Sequence, residues 1–375
     1  MTNPVPIPQT DPRAGYLELK PEIDAAIAAV LSSGQYILGS VVERFERDFA
    51  AHLGAAHGIG CASGTDAIEL ALRACGIGER DLVFTVSHTA VATVAAIERA
   101  GATPVLVDIE PDGFAMDPNA LEAALRDPPS GRPAAILPVH LYGEPADLAA
   151  IVEIARVHGL RLIEDCAQAH GARYGGRPAG SFGDFACFSF YPTKNLGALG
   201  DAGIVTTSDA SLAQAAREIR EYGWRERYVS DRIGINTRLD PIQAAVLAAK
   251  LPQLRADNSR RQQIAARYDE GLVGLSMRLP PRRAGASHVF HQYVIRGKDR
   301  DRLREHLQGA AIGTGIHYPL PVHLHPAYNG RVHLAPAELR NSERVAGDIL
   351  SLPIYPQLST TGVDRVIAET RRFHQ

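Results

Sequence analysis

A lysine in an unusual setting is the first candidate for chemistry in this chain. Lys194 follows the apolar run 185–190 and precedes a glycine-rich segment, so few charges lie near it in sequence. A solvated surface lysine seldom stands among Phe, Tyr, Leu and Gly. An amine in an apolar pocket is destabilised as an ammonium, which lowers its pKa and suits it to imine formation with a carbonyl group. The sequence therefore predicts a reactive Lys194.

Two carboxylates end another apolar run. Glu164 and Asp165 directly follow residues 160–163. Ligands of open α/β sheets bind at the carboxyl ends of strands, so a carboxylate there is well placed to meet one. A buried acid also needs a cationic partner, because desolvation otherwise neutralises it. Lys194 can supply that cation, although either acid could instead cap the following turn.

A third motif, residues 63–67, opens a helix predicted over 67–74. The free N–H groups and the dipole at a helix N-terminus suit a phosphate, although a plain N-cap is the simpler interpretation of this motif alone. Common nucleotide motifs are incomplete. Glycines 58, 60 and 64 miss the dinucleotide fingerprint by one residue, and neither a P-loop nor His-Glu-x-x-His occurs. A Rossmann dehydrogenase is therefore a weak alternative.

The elements that would position these groups alternate along the chain. Short, nearly continuous apolar runs indicate strands that are covered on both faces, and they span 82–86, 104–107, 134–139, 160–163, 185–190 and 203–207. Helices with recognisable ends lie between them: one begins at Asp117-Pro118, and another runs from Asp147 to a stop at Gly159. This alternation predicts an α/β fold with a mostly parallel sheet.

The two ends of the chain have a different character. Residues 20–53 read as two amphipathic helices. After residue 207, helical patterns cover 211–222, 241–251 and 254–272, followed by a strand over 289–296 and a helix over 300–308. We predict a large α/β domain with the N-terminal helices over residues 1–254, and a smaller C-terminal α+β domain over 255–375.

Composition excludes several classes of protein. The 39 Lys and Arg residues against 42 Asp and Glu give a net charge of −3, which argues against a nucleic-acid partner. The apolar, uncharged stretch 82–97 is shorter than the ~20 residues of a membrane span. The cysteines form no Cys-x-x-Cys pair, and residues 1–12 lack the apolar core of a signal peptide. We expect a cytoplasmic protein with no membrane partner.

Taken together, the motifs resemble those of a known enzyme family. They lie at 63–67, 87–90, 164–170, 189–203, 234–240 and 243–245. In this order and spacing they are similar to the DegT/DnrJ/EryC1/StrS aminotransferases, pyridoxal-phosphate (PLP) enzymes that act on nucleotide-linked keto sugars. The resemblance runs from residue 34 to residue 319. It implies an aspartate-aminotransferase-like fold (PLP fold type I), with a seven-stranded large domain and a small C-terminal domain.

The resemblance also implies a role for each residue of the ring-binding site. Lys194 would bind PLP covalently and then move a proton between substrate and cofactor. Asp165 would pair with the pyridinium nitrogen and keep it protonated, so that the ring remains an electron sink. Gln168 would hydrogen-bond the ring hydroxyl, and His88 would stack on the ring face.

A second group would bind the cofactor's phosphate. By the same resemblance, Gly64, Thr65 and Ser189 would hold it within one chain. Asn236 would reach the phosphate of the neighbouring subunit's cofactor. The resemblance therefore implies a homodimer with shared active sites.

The substrate also follows from the resemblance. The segment 191–203 is similar to members acting on 3-keto sugars, whereas C4 members more often carry a His before the lysine and Glu-Gly-Gly after it. This implies transfer from L-glutamate to C3 of an NDP-3-keto-6-deoxyhexose, with dTDP as the expected nucleotide. C4 amination of an NDP-4-keto sugar is the alternative. Tyr191, His317 and Tyr318 are candidate substrate contacts, with packing as the simpler interpretation.

Two further functions are disfavoured. His317, His323 and His325 lie around a proline-rich loop without a nearby carboxylate, which fits no zinc signature, and we expect no metal. A non-catalytic regulator of the same fold would need a DNA-binding element, but neither a basic stripe nor a helix-turn-helix pattern is present in the sequence. Members that deoxygenate sugars replace the lysine with His, so Lys194 favours transamination.

Overall fold

Strands that alternate with helices along the chain form one large sheet, as the sequence predicts. The computed structural model describes residues 5–335 and 338–375. Three helices precede the sheet: α1 (Pro12–Glu18), α2 (Lys20–Ser33) and α3 (Ser40–Leu53). The sheet and its helices comprise β1 (His57–Cys61), α4 (Gly64–Ala74), β2 (Asp81–Val86), α5 (Val91–Arg99), β3 (Thr103–Val107), α6 (Pro118–Arg126), β4 (Arg132–Ile136), α7 (Leu148–His158), β5 (Arg161–Asp165), β6 (Arg173–Tyr174), β7 (Arg177–Pro178), β8 (Phe185–Ser189), β9 (Gly203–Thr207) and α8 (Ala210–Arg220).

The remainder of the chain is mainly helical. It comprises the hairpin β10 (Trp224–Glu226) and β11 (Val229–Ser230), then α9 (Pro241–Lys250), α10 (Leu254–Leu272), β12 (Ala286–Ser287), β13 (Tyr293–Arg296), α11 (Arg300–Gly309), β14 (His333–Leu334), α12 (Arg340–Asp348), β15 (Ile349–Leu352) and α13 (Thr360–Phe373). Single-turn 3-10 helices occupy Leu141–Gly143, Leu251–Gln253 and Val322–Leu324. The expected helices over 20–53 are confirmed as α2 and α3.

The large sheet has the strand order β1-β9-β8-β5-β4-β2-β3-β14. Strand β9 pairs antiparallel with β1 and β8, and the other pairs of this sheet are parallel. The mostly parallel α/β architecture is therefore confirmed. The resemblance implied seven strands, and the eighth is the two-residue β14, which covers the edge of β3.

One strand of this sheet escapes the apolar pattern. Strand β1 contains Gly58 and Gly60, which in the sequence nearly match the dinucleotide fingerprint and do not predict a strand. Close packing requires both glycines: a Cβ on Gly58 would lie 2.5 Å from the carbonyl oxygen of Glu46, and one on Gly60 would lie 2.7 Å from Cβ of Leu239. The glycines thus let helix α3 and the segment before α9 approach the strand.

The predicted helix ends are confirmed. Asp117 caps α6 by accepting a hydrogen bond from the N–H of Asn119 at 2.9 Å, and a proline occupies the first turn. Asp147 caps α7, which ends at Gly159 with a φ of 64°. Such ends fix where each helix starts and stops relative to the strand it follows.

A second hydrophobic cluster lies outside the large sheet. It is built mainly from residues after 264, around Tyr268, Tyr293 and Leu350, and it includes Ile7 from the start of the chain. Strands β13 and β15 pair antiparallel within it, and Ile7 forms a parallel bridge with Ile312. This separate core supports the predicted division at 254/255, which stays a prediction.

Candidate active site

A cavity of about 460 Å³ opens where strands β5 and β8 end. Most of the residues predicted for the site line it: Gly64, Thr65, Asp165, Gln168, Ser189, Tyr191, Lys194, His317 and Tyr318. Their elements converge because parallel strands deliver their following loops to one sheet edge. The structure thus brings together residues that are up to 254 positions apart in the chain.

Lys194 lies in the turn that follows β8. Its backbone N–H donates to the carbonyl oxygen of Tyr191 at 2.8 Å, and its side chain borders the cavity. Burial lowers the pKa of the Lys194 amine to about 8, while the charge of Asp165 acts in the opposite direction. About a tenth of this amine is therefore unprotonated at pH 7, far more than for an ordinary lysine, and the unprotonated amine is the form that attacks a carbonyl carbon.

Asp165 ends β5 and is buried. One carboxylate oxygen, Oδ2, accepts a hydrogen bond from the hydroxyl of Thr93 at 2.9 Å, and Oδ1 accepts one from the N–H of Ala167 at 3.1 Å. Burial raises the pKa of Asp165, and these two hydrogen bonds and the charge of Lys194 oppose that rise. The site thus holds a desolvated carboxyl group that a cationic partner would stabilise as a carboxylate.

The N-terminus of α4 lies against the end of β8. Its N-cap Ser63 accepts a hydrogen bond from the N–H of Asp66 at 3.1 Å, and the helix begins at Gly64 rather than at residue 67. A Cβ on Gly64 would lie 2.5 Å from Cβ of Ser189, so only glycine permits this approach. The first-turn N–H groups of Gly64 and Thr65 have no intrahelical acceptor, and this end of the helix fits an anion.

Gln168 is fixed in one orientation. Its Oε1 accepts from the backbone N–H of Tyr142 at 2.7 Å, and its Nε2 donates to the hydroxyl of Tyr318 at 3.2 Å. Burial raises the pKa of Tyr318 to about 12. Because an amide nitrogen has two N–H groups, Gln168 retains one for a further acceptor.

His88 lies behind the cavity wall. Its Nε2 hydrogen-bonds the hydroxyl of Tyr142 at 2.8 Å, and that hydroxyl donates to the backbone oxygen of His317. The ring is fully buried, and burial lowers the pKa of His88 to about 3. From this segment, Thr89 and Ala90 border the cavity instead. His88 therefore does not line the cavity in this structure, and its stacking role stays a prediction.

Asn236 lies outside this cavity and is exposed. It follows a protruding segment with large exposed apolar side chains, among them Tyr228 and Ile233, whose exposed fractions are 72% and 88%. The neighbouring Thr237 is buried and accepts a hydrogen bond from the N–H of Ala62 at 3.0 Å. This contact fixes Asn236 next to α4, but Asn236 does not face its own chain's cavity.

The three histidines of the proline-rich loop have separate partners. His317 lines the cavity, bonds the hydroxyl of Ser351 through Nδ1 at 2.9 Å, and has its pKa lowered to about 4 by burial. His323 lies between the hydroxyl of Ser87 at 2.7 Å and a carboxylate oxygen of Glu343 at 3.1 Å. His325 bonds a backbone oxygen 3.2 Å away. Of these three histidines, only His317 lines the cavity, next to Tyr318.

Some residues that line the cavity are not predicted by the sequence patterns. Thr93 supports Asp165, and Gln9 reaches from the N-terminal segment to Gln292, with 2.6 Å between Nε2 and Oε1. His291 and Gln292 also line the cavity. Two polar residues inside the apolar run 289–296 are a signal that could have identified them. Gln9 carries no comparable signal, because only tertiary packing brings it here.

These residues fit PLP. Four features match the groups of PLP: a lysine amine of lowered pKa for its aldehyde, a buried carboxyl group for its ring nitrogen, an amide with a spare donor for its ring hydroxyl, and a helix N-terminus packed against β8 at Gly64 for its phosphate. Together with the sheet order, this donor set defines an aminotransferase of PLP fold type I.

Comparisons with known proteins give the family. The model of the DegT/DnrJ/EryC1/StrS aminotransferase family matches residues 18–371. The chain therefore belongs to this family of PLP-dependent sugar aminotransferases, as the resemblance of its motifs predicts.

Individual relatives match over nearly the whole chain. The dTDP-3-amino-3,4,6-trideoxy-α-D-glucose transaminase of Streptomyces venezuelae is 47% identical over 370 residues, covering 98% of this chain and 96% of the relative. The UDP-N-acetyl-3-dehydro-α-D-glucosamine 3-aminotransferase of Acidithiobacillus ferrooxidans is 44% identical over 372 residues, or 99% of each chain. The crystal structure of S. venezuelae DesV in complex with a ketimine intermediate superposes with a TM-score of 0.95 at 46% identity, covering 99% of both chains.

Proposed function

We propose that this aminotransferase moves the amino group of L-glutamate to C3 of an NDP-3-keto-6-deoxyhexose, with dTDP as the nucleotide. The observation that carries the proposal is the cavity in which Lys194, Asp165 and the N-terminus of α4 meet. Relatives whose names specify 3-amino sugars, in both dTDP and UDP series, support C3 over C4.

Bound PLP supplies an electron-withdrawing ring that accepts the electron pair left on the substrate carbon after it loses a proton. Lys194 would hold the cofactor and, once released from it, would carry the proton on Nζ between substrate and cofactor. Asp165 would hold the protonated ring nitrogen, with Thr93 and the N–H of Ala167 fixing its carboxylate. Gln168 would orient the ring through its spare N–H group.

The remaining cofactor and substrate contacts are proposed from the places that the residues occupy around the cavity. Gly64 and Thr65, with Ser189, would bind the phosphate at the start of α4. Tyr191, half exposed at the mouth of the cavity, and the pair of His317 and Tyr318 on the opposite loop would contact the sugar. Their rings supply apolar faces and hydroxyl groups, which is the mixture that binds sugars.

Activity separates the proposed reaction from its alternatives. Holoenzyme incubated with L-glutamate should aminate the NDP-3-keto sugar and leave the NDP-4-keto isomer unchanged. Lys194→Ala should abolish turnover and the covalent PLP adduct that borohydride reduction traps for mass spectrometry. Lys20→Ala, at an exposed lysine, is the matched control and should retain both. Turnover of the 4-keto isomer alone would contradict C3 amination.

We also propose that the enzyme is a homodimer whose subunits share active sites. Exposed apolar residues surround the segment that precedes Asn236, and Tyr36 and Ile37 add exposed fractions of 55% and 56%. Large exposed apolar surfaces of this kind mark protein interfaces. Asn236 would reach the partner's cofactor phosphate, since it does not line its own chain's cavity.

Subunit complementation tests the shared site. Lys194→Ala and Asn236→Ala homodimers should both be inactive. After subunit exchange, each mixed dimer contains one intact site if Asn236 acts on its partner, so about a quarter of the wild-type activity should return at equal mixing. If Asn236 acts within its own chain, mixing restores nothing.

A cytoplasmic location is part of the same proposal. The four cysteines are free, and Cys61, Cys166 and Cys187 are buried, as expected of a reducing compartment. Within residues 5–335 and 338–375, no helix has the length and apolar character needed to cross a membrane. A fractionation experiment that finds the enzyme outside the cytoplasm would contradict this location.

A further inference from the structure

A chain of three polar side chains leads from the cavity into the protein interior. His291 lines the cavity, and its Nδ1 lies 3.2 Å from Oδ1 of Asn195, the residue after Lys194. Nδ2 of Asn195 donates to Oδ1 of Asn258 at 2.8 Å and to the backbone oxygen of Val289 at 3.0 Å. His291, Asn195 and Asn258 are all buried.

The hydrogen-bond donors and acceptors along this row of three side chains can be assigned in only one way. Nδ2 of Asn258 donates to the backbone oxygen of His170 at 2.8 Å, so its Oδ1 faces Asn195 and accepts. Asn195 must therefore turn its NH₂ group toward Asn258 and Val289, both of which offer only acceptors there. Its Oδ1 remains for His291, so Nδ1 of His291 carries the proton.

This tautomer leaves Nε2 of His291 as an acceptor. Burial is the main cause that holds the pKa of His291 well below its ordinary value, and the charge of Lys194 adds to it, so the ring is neutral. A neutral ring protonated on Nδ1 has a lone pair on Nε2. Among the described residues, the hydrogen bond of the His291 ring is the one through Nδ1, and the ring borders the cavity. Its partner must therefore come from the cavity.

We propose that His291 accepts a hydrogen bond from a hydroxyl group of the sugar substrate, and that Asn195 and Asn258 are positioning residues that hold it in this tautomer. The inference rests on the proposed function. Phosphates and carboxylates are acceptors only, so the diphosphate and the carboxylates of glutamate are excluded as partners of this lone pair. A sugar hydroxyl can donate, and the competing donors are the ammonium groups of Lys194 and glutamate and the hydroxyl and N–H groups of the nucleoside.

Two substitutions separate the ring nitrogens. His291→Asn keeps an amide donor near the Nδ1 position and removes Nε2, whereas His291→Gln carries an amide oxygen to the neighbourhood of Nε2. In the holoenzyme, His291→Asn should raise KM for the nucleotide keto sugar about tenfold, as expected for one lost hydrogen bond. The half-reaction with glutamate should keep its rate, and His291→Gln should recover most of the loss.

Binding gives a readout that does not depend on turnover. By calorimetry, His291→Asn should bind a dTDP-linked 3-amino sugar about tenfold more weakly than the wild type, with its affinity for dTDP alone unchanged. Equal losses for both ligands would show a structural role. A slower glutamate half-reaction would assign Nε2 to the Lys194 ammonium. Either result overturns the inference.

The tautomer can be observed directly by ¹⁵N NMR of histidine-labelled holoenzyme, with the His291 signals assigned by their loss in His291→Asn. We expect a proton on Nδ1, and a mixture of tautomers in Asn195→Leu. A proton on Nε2 would overturn the inference whatever the activity. A proton on Nδ1 in a wild-type enzyme that aminates no 3-keto sugar would instead contradict the proposed function.

Discussion

Replacing Lys194 by Met should stabilise the protein when the cofactor is removed. Burial lowers the pKa of this amine from 10.5 to about 8, so the folded state holds its ammonium less favourably than the unfolded chain does. That difference corresponds to about 3 kcal/mol. Because the side chain is only partly buried, solvent screening reduces the expected gain to about 1–3 kcal/mol.

The stability gain expected from Lys194→Met depends on pH. The folded pKa lies below the unfolded one, so the unfolded chain binds more protons between pH 8 and 10.5. The wild type therefore gains stability as pH rises through that window. The advantage of Lys194→Met should be complete below pH 8 and should shrink steadily above it. Any packing effect of the methionine itself is independent of pH.

Thermal denaturation of the cofactor-free enzyme from pH 7 to pH 10 measures this gain, which should appear as a Tm increase of about 1–4 °C at pH 7. Lys20→Met is the control. Hydrogen bonding to Asp24 raises the pKa of Lys20, so its replacement should lower stability slightly at pH 7. A Tm of Lys194→Met at or below that of the wild type, or a gain that does not change with pH, would refute the reasoning.

Three further substitutions probe the site. Thr93→Val removes a hydrogen bond that lowers the pKa of Asp165, so the acidic limb of the pH profile of kcat/KM should move to higher pH. Asp165→Asn should reduce kcat about 100-fold, as expected for a lost charged hydrogen bond, and should lower the pKa of Lys194 measured by amine acetylation of the cofactor-free enzyme. Gly64→Ala places a Cβ 2.5 Å from the end of β8 and should weaken the binding of PLP and of inorganic phosphate at least tenfold. Fluorescence titration measures both affinities. The control Gly78→Ala, whose new Cβ would have its nearest contact at 3.6 Å, should leave them unchanged.

Much of the fold was predictable because its signals are local. Apolar runs that are covered on both faces identify their own strands, and capping pairs such as Asp147 with Gly159 mark their own helix ends. The local sequence does not predict strand β1, because its two glycines are required by contacts with Glu46 and Leu239, which lie outside that segment. Strand β14 was missed because two residues carry no periodicity.

The candidate site divides in the same way. Lys194 and Asp165 were recognisable because each interrupts an apolar stretch with a charge that must find a partner. The place of His88 depends on tertiary packing: its ring hydrogen-bonds the hydroxyl of Tyr142, Ala90 lines the cavity, and the role of His88 stays a prediction. The sequence does not single out His291, since its proposed role depends on a tautomer set by Asn195, which lies 96 positions away in the chain.

The pairing of Ile7 with Ile312, and of β14 with β3, has a consequence for synthesis on the ribosome. At roughly 5–20 residues per second, the N-terminal segment waits about 15–60 s for its partner to emerge. Over a similar interval, the backbone groups along one edge of β3 remain open to other chains. Folding of the nascent enzyme is therefore complete only after the last quarter of the chain has been synthesised. If a ribosome stalls before residue 334, the released chain lacks β14, and the edge of β3 stays uncovered.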